Sequence, residues 1–253
     1  MSTSVTPVAL TAMHYLHVEL GATMAEKDGW RRPAHYGSAD EETERLRNSV
    51  GLLDISPDGK INLSGVGLDG LLSRAFGQKT PLGIGDSLVI PLVESPDGPS
   101  VILARLAADE MMAITEPAER QGVLTKLADH ADTSTQSIDV TSALAGVAIT
   151  GPSGYLLLRA VSELNTSPGA FPNLSCAQSA VAEVHGTFVR ADIGEVPSYR
   201  LYFGREFGQY MWEALLDAGL EYDAAPVGLE ALARLANDHR KFPDSQRPPR
   251  SLR

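Results

Sequence analysis

"GEVPSYRLYF" (residues 194–203), running into "GREFGQYMWEALLDAG" (204–219), decides how this chain reads. Strict alternation predicts a β-strand with Tyr199, Leu201 and Phe203 on one face and Ser198, Arg200 and Tyr202 on the other. The first face is apolar enough for a core. The second presents a guanidinium flanked by two hydroxyls, so Arg200 looks either into solvent or into a cavity. The segment 207–219 then reads as an amphipathic helix, with Tyr210, Met211, Ala214 and Leu215 on its buried side and a stop at Gly219.

Outward from this pair, the pattern continues as short strands and helices in turn. Upstream, "SAVAEVHGTFVRAD" (179–192) reads as a hairpin, and "GVAIT" (146–150) as a strand feeding the helix 153–164 after Gly151-Pro152. The polar run "DTSTQSID" (132–139) reads as a crossing between units. Before it lie a helix at 117–131 opened by Pro117 and a strand at 110–115. Two further strands span 87–106 around the turn Pro96-Asp97-Gly98-Pro99. A helix at 67–76 buries Leu68, Leu71, Leu72 and Ala75, and a strand covers 60–65. The helix over 37–49 has Ser38 as N-cap and Glu41 completing a capping box. Downstream, 228–240 is a last helix, and the proline-rich, basic tail 241–253 reads as flexible. Hairpins outnumber parallel crossovers, which points to an α+β fold with antiparallel sheets.

The chain has 253 residues, a formal charge of −11, 43% hydrophobic residues and 21% charged residues. That is an ordinary globular composition, with enough length for one large domain or two smaller ones. The acidic balance argues against a nucleic-acid backbone or an anionic membrane as main partner, while a local basic patch can still hold a small anion. A single cysteine, Cys176, precludes an internal disulfide framework and fits a reducing, cytoplasmic location. The first 21 residues lack a basic segment followed by a long apolar run, so no signal peptide is expected. No stretch approaches the roughly 20 apolar residues of a membrane-spanning helix.

Local motifs assign no chemistry. His14 and His17 are spaced for a helical metal pair, but nothing completes four ligands, so no metal is expected. Asp238-His239 reads as a solvated helix end and Cys176 as a structural thiol. "GVGLDG" lacks the spacing of a dinucleotide loop, and there is neither a phosphate-binding Walker sequence nor a nucleophile elbow.

Taken whole, the sequence resembles the glycine cleavage system T-protein (aminomethyltransferase) family, with its folate-dependent demethylases and sarcosine oxidase subunits. "HVELGATMAEKDGWRRPAHYGSADEETERLRNSVGLLDIS" is similar to the family's opening and "GKINLSGVGLDGLLSRAF" to its next strand and helix. "GVAITGPSGYLLLRAV" matches its L-x-G-P segment, and "YRLYFGREFGQYMWEALLDAG" with "PVGLEALARL" the strand, helix and P-x-G-L run that close its folate domain. The resemblance implies two antiparallel-sheet α+β units around a central hole, the second inserted in the first. Residues 1–55 with 138–240 then form one unit and 56–137 the inserted one. Family members also carry a C-terminal β-barrel; this sequence ends at Arg253, so none is expected here.

The departures fall where the family's chemistry sits. Ser100 falls near the position of its catalytic aspartate, with Asp97 the only carboxylate nearby in sequence. A family asparagine aligns with Thr115, a tyrosine with Ile193 and an arginine with Leu232. The glutamate that grips the pterin in the family is Arg200 here. A pterin's 2-amino group and N3–H are donors that a carboxylate accepts in a pair, whereas arginine has five donors and no acceptor. A guanidinium in a concave site suits a carboxylate, enolate or phosphate instead.

Three functions follow. The family implies a transferase moving an aminomethyl or methyl unit to or from tetrahydrofolate. The residue changes favour an enzyme that reuses the scaffold, without folate, on another small anionic molecule in specialised metabolism. A non-catalytic binding subunit, as in sarcosine oxidase-like complexes, is the third, with a protein partner or a second copy of the chain compatible with each. The expected ligand-site residues are Arg200, Tyr202, Ser198, Thr115, Glu116 and Glu195. The anionic partner of Arg200 is expected to be a bound substrate, or Glu195 or Glu116 folded across the site. Ser100 is not expected to replace the missing carboxylate, because a serine hydroxyl lacks basicity unless a neighbouring base activates it.

Overall fold

The computed structural model describes residues 7–95 and 98–241. Pro96 and Asp97 of the expected turn, and the tail from 242 onward, lie outside the described residues. The N-terminal part holds β1 (Ala9–Leu10), α1 (His14–Glu19), β2 (Thr23–Lys27), β3 (Trp30–His35), α2 (Ala39–Asn48) and β4 (Val50–Asp54). Next come β5 (Gly59–Ser64), α3 (Leu68–Phe76), β6 (Ser87–Pro91), β7 (Ser100–Ala107), β8 (Glu110–Thr115), α4 (Arg120–His130) and β9 (Gln136–Asp139). The chain continues with β10 (Leu144–Thr150), α5 (Gly154–Val161), β11 (Cys176–Val181), β12 (Val184–Arg190) and β13 (Ser198–Gly204). It closes with α6 (Gly208–Gly219), β14 (Ala224–Pro226) and α7 (Leu229–Lys241).

Two sheets dominate. One has the order β11-β12-β13-β10-β4-β14 and the other β6-β7-β8-β5-β9. The first therefore draws strands from both sides of the segment that builds the second. All pairs in them are antiparallel except β14 with β4. A third, three-stranded sheet, β1-β3-β2, comes from a region where the sequence pattern announced no strand. β2 is mostly exposed and β3 buries three consecutive residues, so neither shows the period-2 signal. The polar run 132–139 is likewise more than a crossing. Its last four residues form β9, an edge strand whose half-exposed positions need no apolar alternation.

The layers follow from which faces are apolar. Tyr199, Leu201 and Phe203 are fully buried, as the alternation predicts, against Leu157 and Leu158 of α5 and Met211, Trp212 and Leu215 of α6. On the far side of the five-stranded sheet, Leu68, Leu71, Leu72 and Ala75 of α3 pack with Val123 and Leu127 of α4. Between the sheets, Leu53, Ile55, Ala148 and Val189 meet Ile102, Ala104, Met112 and Ile114. The buried side of α6 differs from expectation: Trp212 is fully buried, while Tyr210 is 49% exposed and donates its hydroxyl to the Ala182 carbonyl. Burying the large indole outweighs burying the phenol, whose hydroxyl finds its partner at the surface.

Two polar devices fix the elements that frame the interior. The buried carboxylate of Glu42 accepts from the Tyr36 amide at 2.6 Å and the Gly228 amide at 2.7 Å, joining β3 to the start of α7. Gly228 must be glycine, since a Cβ there would lie 2.0 Å from the Ala34 carbonyl oxygen. Deeper, His17 Nε2 donates to Asp54 Oδ2 (3.1 Å) and His17 Nδ1 accepts from the Tyr36 hydroxyl (2.8 Å). The Trp212 ring stands edge-on to the imidazole at 4.7 Å. Burial pushes the Asp54 carboxyl up, but His17, then the Thr11 and Ser56 side chains, outweigh it and hold the group below the usual carboxylate range.

A depressed carboxyl stabilises the fold above its unfolded pKa, near ~3.9, and loses that contribution as pH falls through the folded value. Asp54→Asn should therefore lose about 1.5–3 kcal/mol at pH 7 and show a shallower acid limb in urea denaturation followed from pH 7 to pH 3. An acid limb as steep as that of the wild type would remove Asp54 from the account.

Candidate functional site

Strand β13 sits between β10 and β12, with Arg200 opposite Ala148 and Val189. Those small and apolar neighbours turn its side chain toward the gap between the two sheets, where it lines a cavity of about 330 Å³. Such a volume lies at the lower end of small-molecule pockets. The walls mix aliphatic and polar residues about evenly. Leu53 and Ile55 come from β4 and the residue after it, Ile102 and Ile114 from the facing sheet, and Leu229 and Leu232 from α7. Arg32 of β3 and the hairpin residues Lys27 and Asp28 complete one side.

The polar centre of the pocket is Asp58. A turn closed by its amide on the Ile55 carbonyl (3.0 Å) carries the chain from β4 into β5 and aims the carboxylate inward. Oδ2 accepts from Arg200 Nη1 at 2.8 Å and from the Tyr202 hydroxyl at 3.1 Å. Tyr202 is fully buried beneath, its ring lying over Gly146, where a Cβ would come within 2.7 Å of the ring. Burial opposes the Arg200 charge, but the Tyr202 phenol and Asp58 outweigh it and hold its pKa above the ordinary guanidinium value. Burial, then Asp58, push the Tyr202 phenol up. Lys60 is fully buried behind this group, donating Nζ to the Ser56 carbonyl at 2.6 Å, with Nζ 5.8 Å from the Tyr202 ring centroid. Burial lowers its pKa to about 8, against the opposing pull of Asp58, Asp54 and Asp139.

Of the residues singled out from the sequence, Arg200, Ser100, Thr115 and Glu116 line this pocket. Thr115 is buried and spends its hydroxyl on the Glu116 carbonyl, while Glu116 is exposed at the rim. Three others sit elsewhere. Ser198 shares a 2.8 Å hydrogen bond with Thr150, Tyr202 lies under the pocket as a support for Asp58, and Glu195 is on an exposed loop between Ile193 and Val196. The carboxylate on Arg200 is Asp58, not Glu195 or Glu116. "SPDG" (56–59) reads as a plain turn, so its aspartate carried no signal. Arg32 was hidden in a segment without periodicity. The aliphatic stripe of α7 (Leu229, Leu232, Ala233, Ala236) was legible as a helix face, though not as a pocket wall. Among the described residues, no group of three or more His, Cys, Asp or Glu side chains could hold a metal, and no helix is long and apolar enough to cross a membrane.

The family model of the GCVT N-terminal domain matches residues 13–242, and the chain belongs to that family. An aminomethyltransferase of Halothermothrix orenii is 27% identical over 226 residues, covering 87% of this chain and 62% of that protein. Another, of Streptomyces avermitilis, is 27% identical over 223 residues and is 59% covered. The sarcosine oxidase subunit alpha of Corynebacterium sp. (strain U-96) is 28% identical over 244 residues, covering 89% of this chain and 25% of that protein. The chain thus spans about three-fifths of the length of the aminomethyltransferases it matches. Two solved structures share the fold. The glycine cleavage system aminomethyltransferase T of Bartonella henselae superposes with a TM-score of 0.78 at 22% identity, covering 90% of this chain and 62% of that one. The heterotetrameric sarcosine oxidase of Corynebacterium sp. U-96, solved in complex with pyrrole 2-carboxylate, gives 0.61 at 20% identity, covering 86% of this chain and 97% of the matched one.

The phenols provide a direct test of the site. Absorbance titration should find Tyr202 and Tyr36 still protonated beyond the ordinary phenol range near ~10, since burial raises both. Tyr202→Phe should remove one of these late-titrating groups. Unchanged late absorbance in that variant would contradict the buried Asp58–Tyr202 contact.

Proposed function

We propose that this chain is an aminomethyltransferase-like protein that binds a small organic anion in the pocket between its two sheets, without the pterin contact of folate-binding relatives. The observation that carries the reading is the Arg200–Asp58 pair. The pocket wall at β13 offers a guanidinium, and the carboxylate beside it already accepts two hydrogen bonds at Oδ2. A pterin would bring further donors toward a guanidinium that offers no acceptor, each buried donor left unsatisfied costing roughly 1–3 kcal/mol. A carboxylate-bearing ligand brings acceptors instead. Any reaction then relies on orientation and electrostatics among Arg200, Asp58 and Thr115, since Ser100 has no base beside it in sequence. A second reading, a binding subunit within a larger oxidase-like assembly, draws support from the likeness to sarcosine oxidase subunit alpha.

Calorimetry separates these ligands. Wild-type protein should bind small carboxylates and leave tetrahydrofolate unbound under the same conditions. Arg200→Glu, which removes the partner of Asp58 and sets a second carboxylate in the pocket, should weaken carboxylate binding through like-charge repulsion. Tight tetrahydrofolate binding, unaltered by that substitution, would overturn the reading. Ser100→Ala should reduce carboxylate affinity only slightly, and a loss as large as that of Arg200→Glu would give Ser100 a direct ligand contact.

A further inference from the structure

We infer that Arg32, rather than Arg200, receives the ligand's charged group, and that the ligand is a monocarboxylate with a compact apolar body. This rests on the reading of the pocket as an anion site and names the group that decides its specificity. The two guanidiniums in the pocket are not equivalent. Arg200 has its counter-charge in Asp58 at 2.8 Å. Arg32 is 5% exposed, and its Nη2 reaches only a backbone oxygen, the Asp54 carbonyl at 3.2 Å. The Nε of each is buried without an acceptor among the described residues, so the difference between them is the carboxylate that Arg200 has and Arg32 lacks. The Asp54 carboxylate is engaged by His17 at Oδ2 and by the Ser56 amide at Oδ1, and no hydrogen bond joins it to Arg32 among the described residues.

A buried guanidinium that lacks an anionic partner is costly, and its planar fork matches a carboxylate in two parallel hydrogen bonds. The remaining charges of the pocket, Lys27 and Asp28 on the hairpin and Glu116 at the rim, are exposed and opposed in sign, so water screens them. Among the described residues, no carboxylate stands at hydrogen-bonding distance from Arg32. A phosphate would bring more than one charge near neutral pH and no apolar surface. The walls of Leu53, Ile102, Ile114 and Leu232 call for a hydrocarbon body on the anion.

The experiment titrates wild-type protein, Arg32→Met and Arg32→Lys by calorimetry with benzoate, isovalerate, benzamide and inorganic phosphate, and records ligand-free melting temperatures. Wild-type protein should bind the two carboxylates and neither benzamide nor phosphate. Arg32→Met should weaken carboxylate binding at least tenfold while melting at or above the wild-type temperature, because it removes an uncompensated charge. Arg32→Lys, which keeps the charge and loses the fork, should fall between the two, and it supplies the result should the methionine variant not fold. Wild-type carboxylate affinity in the variants, or a lower melting temperature with affinity intact, would confine Arg32 to holding the Asp54 carbonyl and overturn the inference while the anion pocket stands. Binding of none of the four probes to wild-type protein would overturn the pocket reading and this inference together. Preference for benzamide or phosphate would overturn the assigned ligand class.

Discussion

The structure depends on seven residues, "DISPDGK" (54–60), where the chain leaves one large sheet and enters the other. Its polar groups bind partly one another and partly elements far away in sequence. Asp54 holds His17 of α1, and the Ser56 hydroxyl accepts from the Gly146 amide of β10. The Ser56 carbonyl accepts from Lys60, and Asp58 reaches Arg200 and Tyr202 of β13. Apolar contact between the sheets is non-directional and fixes their separation better than their register. Hydrogen bonds from a short connection supply the direction, and in a low-dielectric interior they are expensive to leave unmade.

The sequence exposed what periodicity can expose. Tyr199, Leu201 and Phe203 alternate with polar residues because β13 meets a helix layer on one side and a mixed interior on the other. The four apolar positions of α3 recur at helical spacing because only one of its faces is covered. Ser38 caps α2 by accepting from the Glu41 amide, as the motif foretells. Where an element is buried on neither face, as in β2, or sits at a sheet edge, as in β9, no such pattern exists to read.

The site was legible only in part for a different reason. Strand alternation and family resemblance together direct Arg200 inward, but neither names its partner. Asp58 is 142 positions away in sequence and stands in a turn that any Ser-Pro-Asp-Gly run could form. Ser198 and Tyr202 share the face of Arg200 without sharing its role. Twist and the depth of the sheet place Ser198 over Thr150 and Tyr202 over Gly146, and only the middle residue reaches the cavity. Two-residue periodicity assigns a face; it does not assign a depth.

Charge bookkeeping links the connection to the pocket. Beneath the cavity, Asp54 and Asp58 are matched by Lys60 and Arg200, two anions and two cations held within one buried network. A family member with a carboxylate at position 200 would place three anions there against one lysine, unless residue 58 changed with it. Residues 58 and 200 are therefore coupled by the cost of burying a lone charge. The apolar layers outside this network are indifferent to the exchange, which is how a scaffold can keep its sheets and helices while the polarity of its pocket wall reverses. Arg32 stands outside the balanced set, attached to the connection only through the Asp54 carbonyl. Among the described residues of the pocket, its guanidinium meets a backbone carbonyl where that of Arg200 meets a carboxylate.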